Sequence, residues 1–232
     1  MKFVHKVFHI DHYSERDTLV KSINIYLSNF SEELNTPTIE ISSLDDLKSF
    51  YNHNQDFNID PIGYNLHGQQ GWKLGELGIW ASNYTAWKNF LNTDADYLIL
   101  MEDDIVFNEN FFPLLNKYMS ELPENWDYFS LFAPADQYHK FDPGLMQGEN
   151  TSIAYQDWSC LCYVLTRSGA EKSLSIMQNK KVNLPLDWFF YRQKEKFMIF
   201  SIQPNKVGGC TLASLESTFQ NRHERKIIDG IF

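Results

Sequence analysis

The stretch that decides the fold is Asp96-Tyr97-Leu98-Ile99-Leu100-Met101-Glu102-Asp103-Asp104-Ile105-Val106-Phe107, DYLILMEDDIVF at residues 96–107. From Leu98 to Met101 it has no polar interruption. A run apolar at both odd and even positions suits a strand covered on both faces, the central strand of an α/β sheet. Three consecutive carboxylates then stop it, and a second apolar pair, Ile105 and Val106, follows. The acidic cluster therefore interrupts buried structure at the carboxyl end of a strand, where ligands bind in open α/β sheets.

Working outward, helix and strand signals alternate. Val4 to Ile10 reads as a strand. Ser14 to Phe30 reads as a helix capped at Ser14, with Leu19, Ile23, Ile25, Tyr26, Leu27 and Phe30 as its apolar residues. Pro37 to Ile41 reads as a second strand, and Ser43 to Tyr51 as a helix with Ser43 at its N-cap and Asp45 and Asp46 in its first turn. Residues 52–74 show little periodicity and read as a long loop, of the kind that serves as a lid or binding loop. Leu77, Trp80, Tyr84, Trp87 and Leu91 recur at steps of three and four and predict an amphipathic helix over Gly75 to Leu91. After the central strand come a helix from Asn110 to Leu122, a strand at Tyr128 to Phe132, a strand at Leu161 to Leu165 and a helix from Ser168 to Met177. A short helix from Pro185 to Lys194 and a strand at Phe197 to Ile202 complete the order. This alternation predicts an α/β/α sandwich with a mostly parallel central sheet. One domain over 1–232 accounts for the pattern, with 204–232 as a polar tail or lid.

Composition sets the outer bounds. The chain has 232 residues, 43% hydrophobic, with 18 Phe, 12 Tyr and 6 Trp, which excludes a disordered chain. Thirty acidic against twenty basic residues leave a formal charge of −10, which argues against a nucleic-acid partner. No stretch approaches the roughly 20 apolar residues of a membrane span, and Met1 to Ile10 lacks a secretory h-region. These features point to a cytoplasmic protein, with peripheral contact at the inner membrane as the closest approach to lipid. Cys160, Cys162 and Cys210 read as small thiols in a reducing compartment. In that setting the N-x-S/T tripeptides at Asn29, Asn83 and Asn150 read as chance.

Like charges grouped as Glu102-Asp103-Asp104 are costly unless a cation offsets them. Hard divalent ions take such oxygen ligands, often one or two carboxylates plus substrate phosphates, so Mn²⁺ or Mg²⁺ with a diphosphate is the chemistry this cluster favours. The competing reading is a solvated acidic turn.

The run from Gly75 to Phe107 (G-E-L-G, W-x-x-F, then D-Y-L-I-L-M-E-D-D-I-V-F) resembles glycosyltransferase family 25, which includes bacterial lipooligosaccharide galactosyltransferases and collagen-galactosylating domains. Leu161 to Lys172 (LCYVLTRSGAEK) and Pro185-Leu186-Asp187 resemble two further blocks of that family. The opening strand with Asp11 and Arg16 resembles its nucleotide-binding strand and turn. The resemblance implies a GT-A type fold, a nucleotide-sugar donor and inversion at the anomeric carbon. It implies metal binding by Asp104 directly, with Glu102 at the metal through water or at the ribose, and His223 as a third ligand. Asp103 falls to the donor sugar or to structure. The basic cluster Arg222, Arg225 and Lys226 reads either as a tail that closes over the diphosphate or as a solvated basic tail. Asp187 would be the base toward the acceptor, its role competing with that of an ordinary helix-capping Asp. Trp72, Trp158 and Trp188 are candidate sugar platforms, Trp80 and Trp87 candidate core. The family's helix carries Ser-His where this chain has Ser82-Asn83. The implied reaction moves a hexose, galactose from UDP-galactose, to a glycan or glycolipid acceptor such as lipooligosaccharide. A sugar nucleotidyltransferase is disfavoured by the absence of glycine from Ile10 to Leu19. A non-catalytic carbohydrate-binding protein on the same fold is the other alternative.

Overall fold

A computed structural model describes residues 1–10, 14–66, 69–107, 110–132, 148–153, 160–193, 195–202, 210–212, 225 and 227–228. In chain order the elements are β1 (Phe3–Phe8), α1 (Ser14–Leu27), β2 (Glu32–Glu33), α2 (Leu44–His53), β3 (Tyr64–Leu66), β4 (Gln69–Gly71), α3 (Leu74–Leu91), β5 (Tyr97–Glu102) and β6 (Ile105–Phe107). They continue with α4 (Phe111–Met119), β7 (Tyr128–Ser130), β8 (Thr151–Ile153), β9 (Cys162–Thr166), α5 (Arg167–Asn179), α6 (Leu186–Arg192), β10 (Ile199–Ile202) and β11 (Cys210–Leu212).

The main sheet has the order β2-β1-β5-β9-β7-β10-β8. Strands β2, β1, β5, β7 and β10 share one direction, whereas β9 and β8 run against their neighbours. The sheet is thus mostly parallel in strand direction. The reversed β9 sits in its middle and brings its start, Cys162, beside Met101 at the carboxyl end of β5. A second ladder joins β6 to β11, and a third forms the β3–β4 hairpin.

The apolar run of β5 divides between two cores, as strand geometry requires. Leu98 and Leu100 face one cluster with Leu77, Trp80 and Trp87 of α3, Leu174 and Met177 of α5, and Phe189 and Phe190 of α6. Ile99 and Met101 face the other, with Val20, Ile23 and Leu27 of α1 and Phe111 and Leu115 of α4. Helices therefore cover both faces, and the α/β/α expectation holds. The helix starts follow the local chemistry. Ser43 caps α2 by accepting from the Asp46 amide, and Pro113 lies in the first turn of α4, where its missing N–H costs nothing.

Much of the aromatic excess seats α6 on α3. The rings of Trp80 and Phe189 lie 5.0 Å apart and those of Trp87 and Phe190 5.9 Å apart, both edge-on. The Trp80 indole N–H donates to the Leu184 carbonyl at 2.9 Å, fixing the approach to α6.

Two expectations need correction. Pro37 to Ile41 is not a strand. The Ile39 amide donates to Ser82 Oγ at 2.8 Å, and the Ser82 hydroxyl lies 3.3 Å from the Ile39 carbonyl. A side chain of α3 thus satisfies the backbone that a sheet neighbour would have satisfied. Gly78 lets the segment come close, since a Cβ there would lie 3.0 Å from the Ile39 oxygen. The sheet edge is instead β2, two exposed glutamates, short and charged as edges tend to be. The second correction concerns residues 52–74. The described ones are packed rather than lid-like, for Phe57, Ile59 and Trp72 are all fully buried. The Trp72 N–H donates to the Asp60 carbonyl at 2.7 Å, so Trp72 is a core residue and not a sugar platform. Gly63, at φ +69°, admits the close backbone of Gly71 within the hairpin. Residues 133–147 and 154–159, with Trp158, lie outside the described residues.

On the far side, buried Asp127 ties three elements together. It accepts from Lys172 Nζ at 2.6 Å, Ser168 Oγ at 2.8 Å and the Met198 amide at 2.8 Å. A Cβ on Gly169 would run into the Asp127 carbonyl. Gly169→Ala is expected to destabilise the protein by about 1–3 kcal/mol, as overpacking against backbone does. Chemical denaturation of the two proteins checks this, and an unchanged midpoint would refute it.

Candidate active site at the carboxyl end of β5

β5 delivers Glu102 at its last position, and Asp103 and Asp104 form the turn into β6. The Glu102 amide donates to the Leu161 carbonyl at 2.9 Å, and β11 pairs with β6 from Ile105↔Leu212 to Phe107↔Cys210, so the turn is held on both sides. The three carboxylates face different surroundings.

Asp103 is 4% exposed and committed to the protein. One oxygen accepts from Arg16 Nη1, and the other lies 2.8 Å from His9 Nδ1. His9 Nε2 in turn lies 2.8 Å from Asp17 Oδ1. His9 stands just past the end of β1, and Arg16 and Asp17 lie in the first turn of α1. The chain Asp17–His9–Asp103–Arg16 therefore pins the start of α1 to the end of β5. Burial disfavours a charged His9, but the two carboxylates outweigh it and raise its pKa. Arg16 is only 1% exposed, and its Nη1 also comes within 3.9 Å of Asp104 Oδ2.

Asp104 is 8% exposed, and its buried Oδ1 has no hydrogen-bond partner among the described residues. Burial raises its pKa, Arg16 works against the rise, and Asp103 adds to it. Glu102 is partly buried. Its carboxyl is pushed up to about 8, first by burial and then by the charges of Asp104, Asp103 and Asp187, with Arg16 opposing.

The charge of Asp187 is felt at Glu102, so α6 lies on the side of the acidic turn. Asp187 lies in the first turn of α6 behind Pro185, and its Oδ1 accepts from the Trp188 amide at 2.9 Å. Phe189 and Phe190, buried on α3 and β7, fix this turn. Trp188 is partly exposed, with the Arg192 guanidinium 6.0 Å above its ring and the Tyr64 ring 6.5 Å away.

Asp11, Arg222 and His223 lie outside the described residues. Asn83, where the family carries histidine, is 2% exposed. It accepts from the Tyr163 hydroxyl at 2.5 Å and donates to the Ile79 carbonyl at 2.8 Å, so it belongs to the core beneath the site. Two participants escaped the sequence reading. His9 had one signal, its place at the carboxyl end of a strand. Glu76 had none beyond its place in G-E-L-G. It pairs with Arg225, so that arginine is committed to the fold and is not available to a diphosphate.

Among the described residues, no three His, Cys, Asp or Glu side chains form a ready-made cage for a metal ion. Glu102 and Asp104 nevertheless fit a divalent cation. Among the described residues Asp104 Oδ1 is buried without a hydrogen-bond partner, and Glu102 has a pKa raised by burial and then by neighbouring carboxylates; two carboxylates suffice where substrate phosphates complete the sphere.

With this geometry in place, the comparisons become informative. The model of the family described as glycosyltransferase family 25 (LPS biosynthesis protein) matches residues 27–190, most of the chain and all three central blocks. The chain belongs to glycosyltransferase family 25. Within that family it is similar to a Bos taurus protein named probable inactive glycosyltransferase 25 family member 3, 28% identical over 120 residues. It is also similar to Homo sapiens procollagen galactosyltransferase 2, 25% identical over 118 residues. Each match spans 50% of this family 25 chain but only 20% and 19% of those relatives. Among solved structures, a Drosophila β-1,4-galactosyltransferase 7 mutant in complex with manganese, UDP-Gal and xylobiose aligns with 97% of this chain and 75% of its own. The TM-score is 0.47 at 13% identity, a remote likeness.

The elevated Glu102 pKa has a consequence for stability. Between its ordinary value of 4.5 and about 8, the folded state holds a proton that the unfolded state has lost. Stability should therefore be fully present below about 4.5 and fall as pH rises through about 8. His9, also raised, acts in the same sense. Thermal melting of the metal-free protein should show this fall, and Glu102→Gln should flatten it. An equal slope in the variant would refute the assignment.

Proposed function

We propose that this family 25 protein is a metal-dependent, inverting hexosyltransferase. It moves galactose from UDP-galactose to a glycan acceptor, such as a lipooligosaccharide core. The observation that carries the reading is the acidic turn at the end of β5, where burial and the charges of Asp104, Asp103 and Asp187 all raise the Glu102 pKa. A nucleotide-sugar site needs both a cation-binding edge and a base nearby. The family assignment and the name of the human relative support hexose transfer, and galactose as the hexose.

Glu102 and Asp104 would hold Mn²⁺ or Mg²⁺, with His223 as a further ligand. When bound, such an ion stabilises the charge that develops on the departing diphosphate. Asp187 takes the proton from the acceptor hydroxyl as its oxygen attacks the anomeric carbon. The bond from that carbon to the diphosphate oxygen breaks, UDP leaves with the electron pair, and configuration inverts. Trp188 offers an apolar face to a sugar ring. Asp11 and Arg222 are proposed donor contacts. Buried Arg16 and Asp103 serve the donor indirectly, by holding the turn that carries Glu102 and Asp104.

The protein is proposed to act as one domain in the cytoplasm, meeting a glycolipid acceptor at the inner membrane surface. Among the described residues, no helix is long and apolar enough to cross a membrane.

The test is a panel of nucleotide sugars with and without Mn²⁺, read as nucleotide binding and release. Failure of every donor to bind or turn over in a metal-dependent way would refute the proposal. Asp104→Ala should abolish metal-dependent donor binding. Asp187→Ala should preserve that binding and lower transfer by about 10²–10⁴-fold, the range of a lost general base. The bovine relative's name keeps one second reading open, a sugar-binding protein without turnover. Donor binding without transfer to any acceptor would favour it.

A further inference from the structure

Arg225 is far from the acidic turn in sequence, yet it is built into the fold. Its side chain is 4% exposed. Nη2 donates to Glu76 Oε1 at 2.8 Å and Nη1 to Glu76 Oε2 at 3.2 Å, a two-pronged pair. Nη1 also donates to the Gly71 carbonyl at 2.9 Å, and Nη2 to the Tyr64 hydroxyl at 2.5 Å. The guanidinium stacks 4.2 Å from the Tyr64 ring centre. Three residues on, the Ile228 amide donates to the Pro61 carbonyl at 2.9 Å, and Ile228 is 1% exposed. The C-terminal segment is thus fastened at two points to residues 60–76.

Glu76 is shared. It accepts from the Tyr64 hydroxyl at 2.6 Å and from the Lys73 amide at 3.0 Å at the start of α3. Tyr64 in turn packs edge-on to buried Trp72, at 5.6 Å, and lies beside Trp188. Trp188 donates its amide to Asp187. A contiguous path of contacts runs from Arg225 through Tyr64 and Trp188 to Asp187.

We infer that Arg225, clamped by Glu76, is a positioning residue for the α6 turn that carries Trp188 and Asp187. The inference rests on the transferase reading above for its consequence, though not for its geometry. Only a planar fork can bond both Glu76 oxygens while stacking on Tyr64, so lysine, a point charge, cannot replace it. The clamp holds the Tyr64 ring in place. That ring limits the freedom of Trp188, and a small displacement of a reacting group is enough to slow a reaction.

Two variants test this, Arg225→Lys and Tyr64→Phe. The second keeps the ring but removes both hydroxyl bonds, leaving the Arg225–Glu76 pair in place. Each variant is read by amide hydrogen exchange over residues 186–192, by exchange at Ile228, and by kcat and KM for transfer. Arg225→Lys should speed exchange at Ile228 and across 186–192, and lower kcat by about tenfold. Tyr64→Phe should speed exchange across 186–192 and lower kcat, with nucleotide binding and exchange at Ile228 unchanged. A clamp that only stabilises the C-terminal segment would speed exchange at Ile228 alone and leave kcat intact, which would overturn the inference. If the wild-type protein transfers no sugar from any donor, the transferase reading fails. The positioning inference is then decided by exchange across 186–192 alone: faster exchange in both variants supports it, and unchanged exchange overturns it.

Discussion

The buried pairing of Arg16 with Asp103 is the interaction on which the rest of the site depends. Three carboxylates in a row at the end of a fully covered strand would repel one another in a medium too apolar to screen them. Arg16, from the first turn of α1, places a permanent cation against the middle one, and His9 adds a second partner on the other oxygen. Asp103 is then satisfied. Glu102 keeps an elevated pKa, and among the described residues Asp104 Oδ1 is buried without a partner. The local positive charge thus falls mainly on one carboxylate, with a longer 3.9 Å approach of Arg16 to Asp104. Removing Arg16 would strand a buried charge and release α1 from β5 together, so structure and site are tied at this point.

A second constraint is aromatic. α6 has only seven residues, too short to hold its own shape in water. It is held because Phe189 and Phe190 insert against Trp80 and Trp87 of α3 and Tyr128 of β7. That packing fixes the first turn of α6, which carries Asp187. The excess of Trp and Phe in the composition is therefore largely structural, and Trp188 stands apart from it by remaining partly exposed.

Most of the layered architecture is legible in the sequence. β5 follows from its unbroken apolar run and α3 from its period-3.6 pattern, both of which report burial directly. The segment 37–41 failed because alternating isoleucines record only that one side is buried. They do not say whether the covering surface is a strand or, as here, the flank of α3 with Ser82 supplying the hydrogen bonds. Trp72 misled for a related reason. It lies outside any periodic helix, yet the hairpin folds it inward, and periodicity carries no information about packed irregular segments. In the acidic triplet the sequence announced a charge problem. It did not say which carboxylate would be neutralised, since that depends on where Arg16 and His9 arrive.

The amino-acid sequence by itself determined the alternation of elements, the doubly covered strand, the place of the acidic turn and the family. These are consequences of local patterning and of motifs in fixed order. Only the tertiary structure decided the division of labour among Glu102, Asp103 and Asp104, the approach of Asp187, and the burial of Arg225 on Glu76 across 149 residues of chain. Those depend on which side chains meet through space. Their charges and pKa values are set by burial and by neighbours distant in sequence, which no pattern along the chain records.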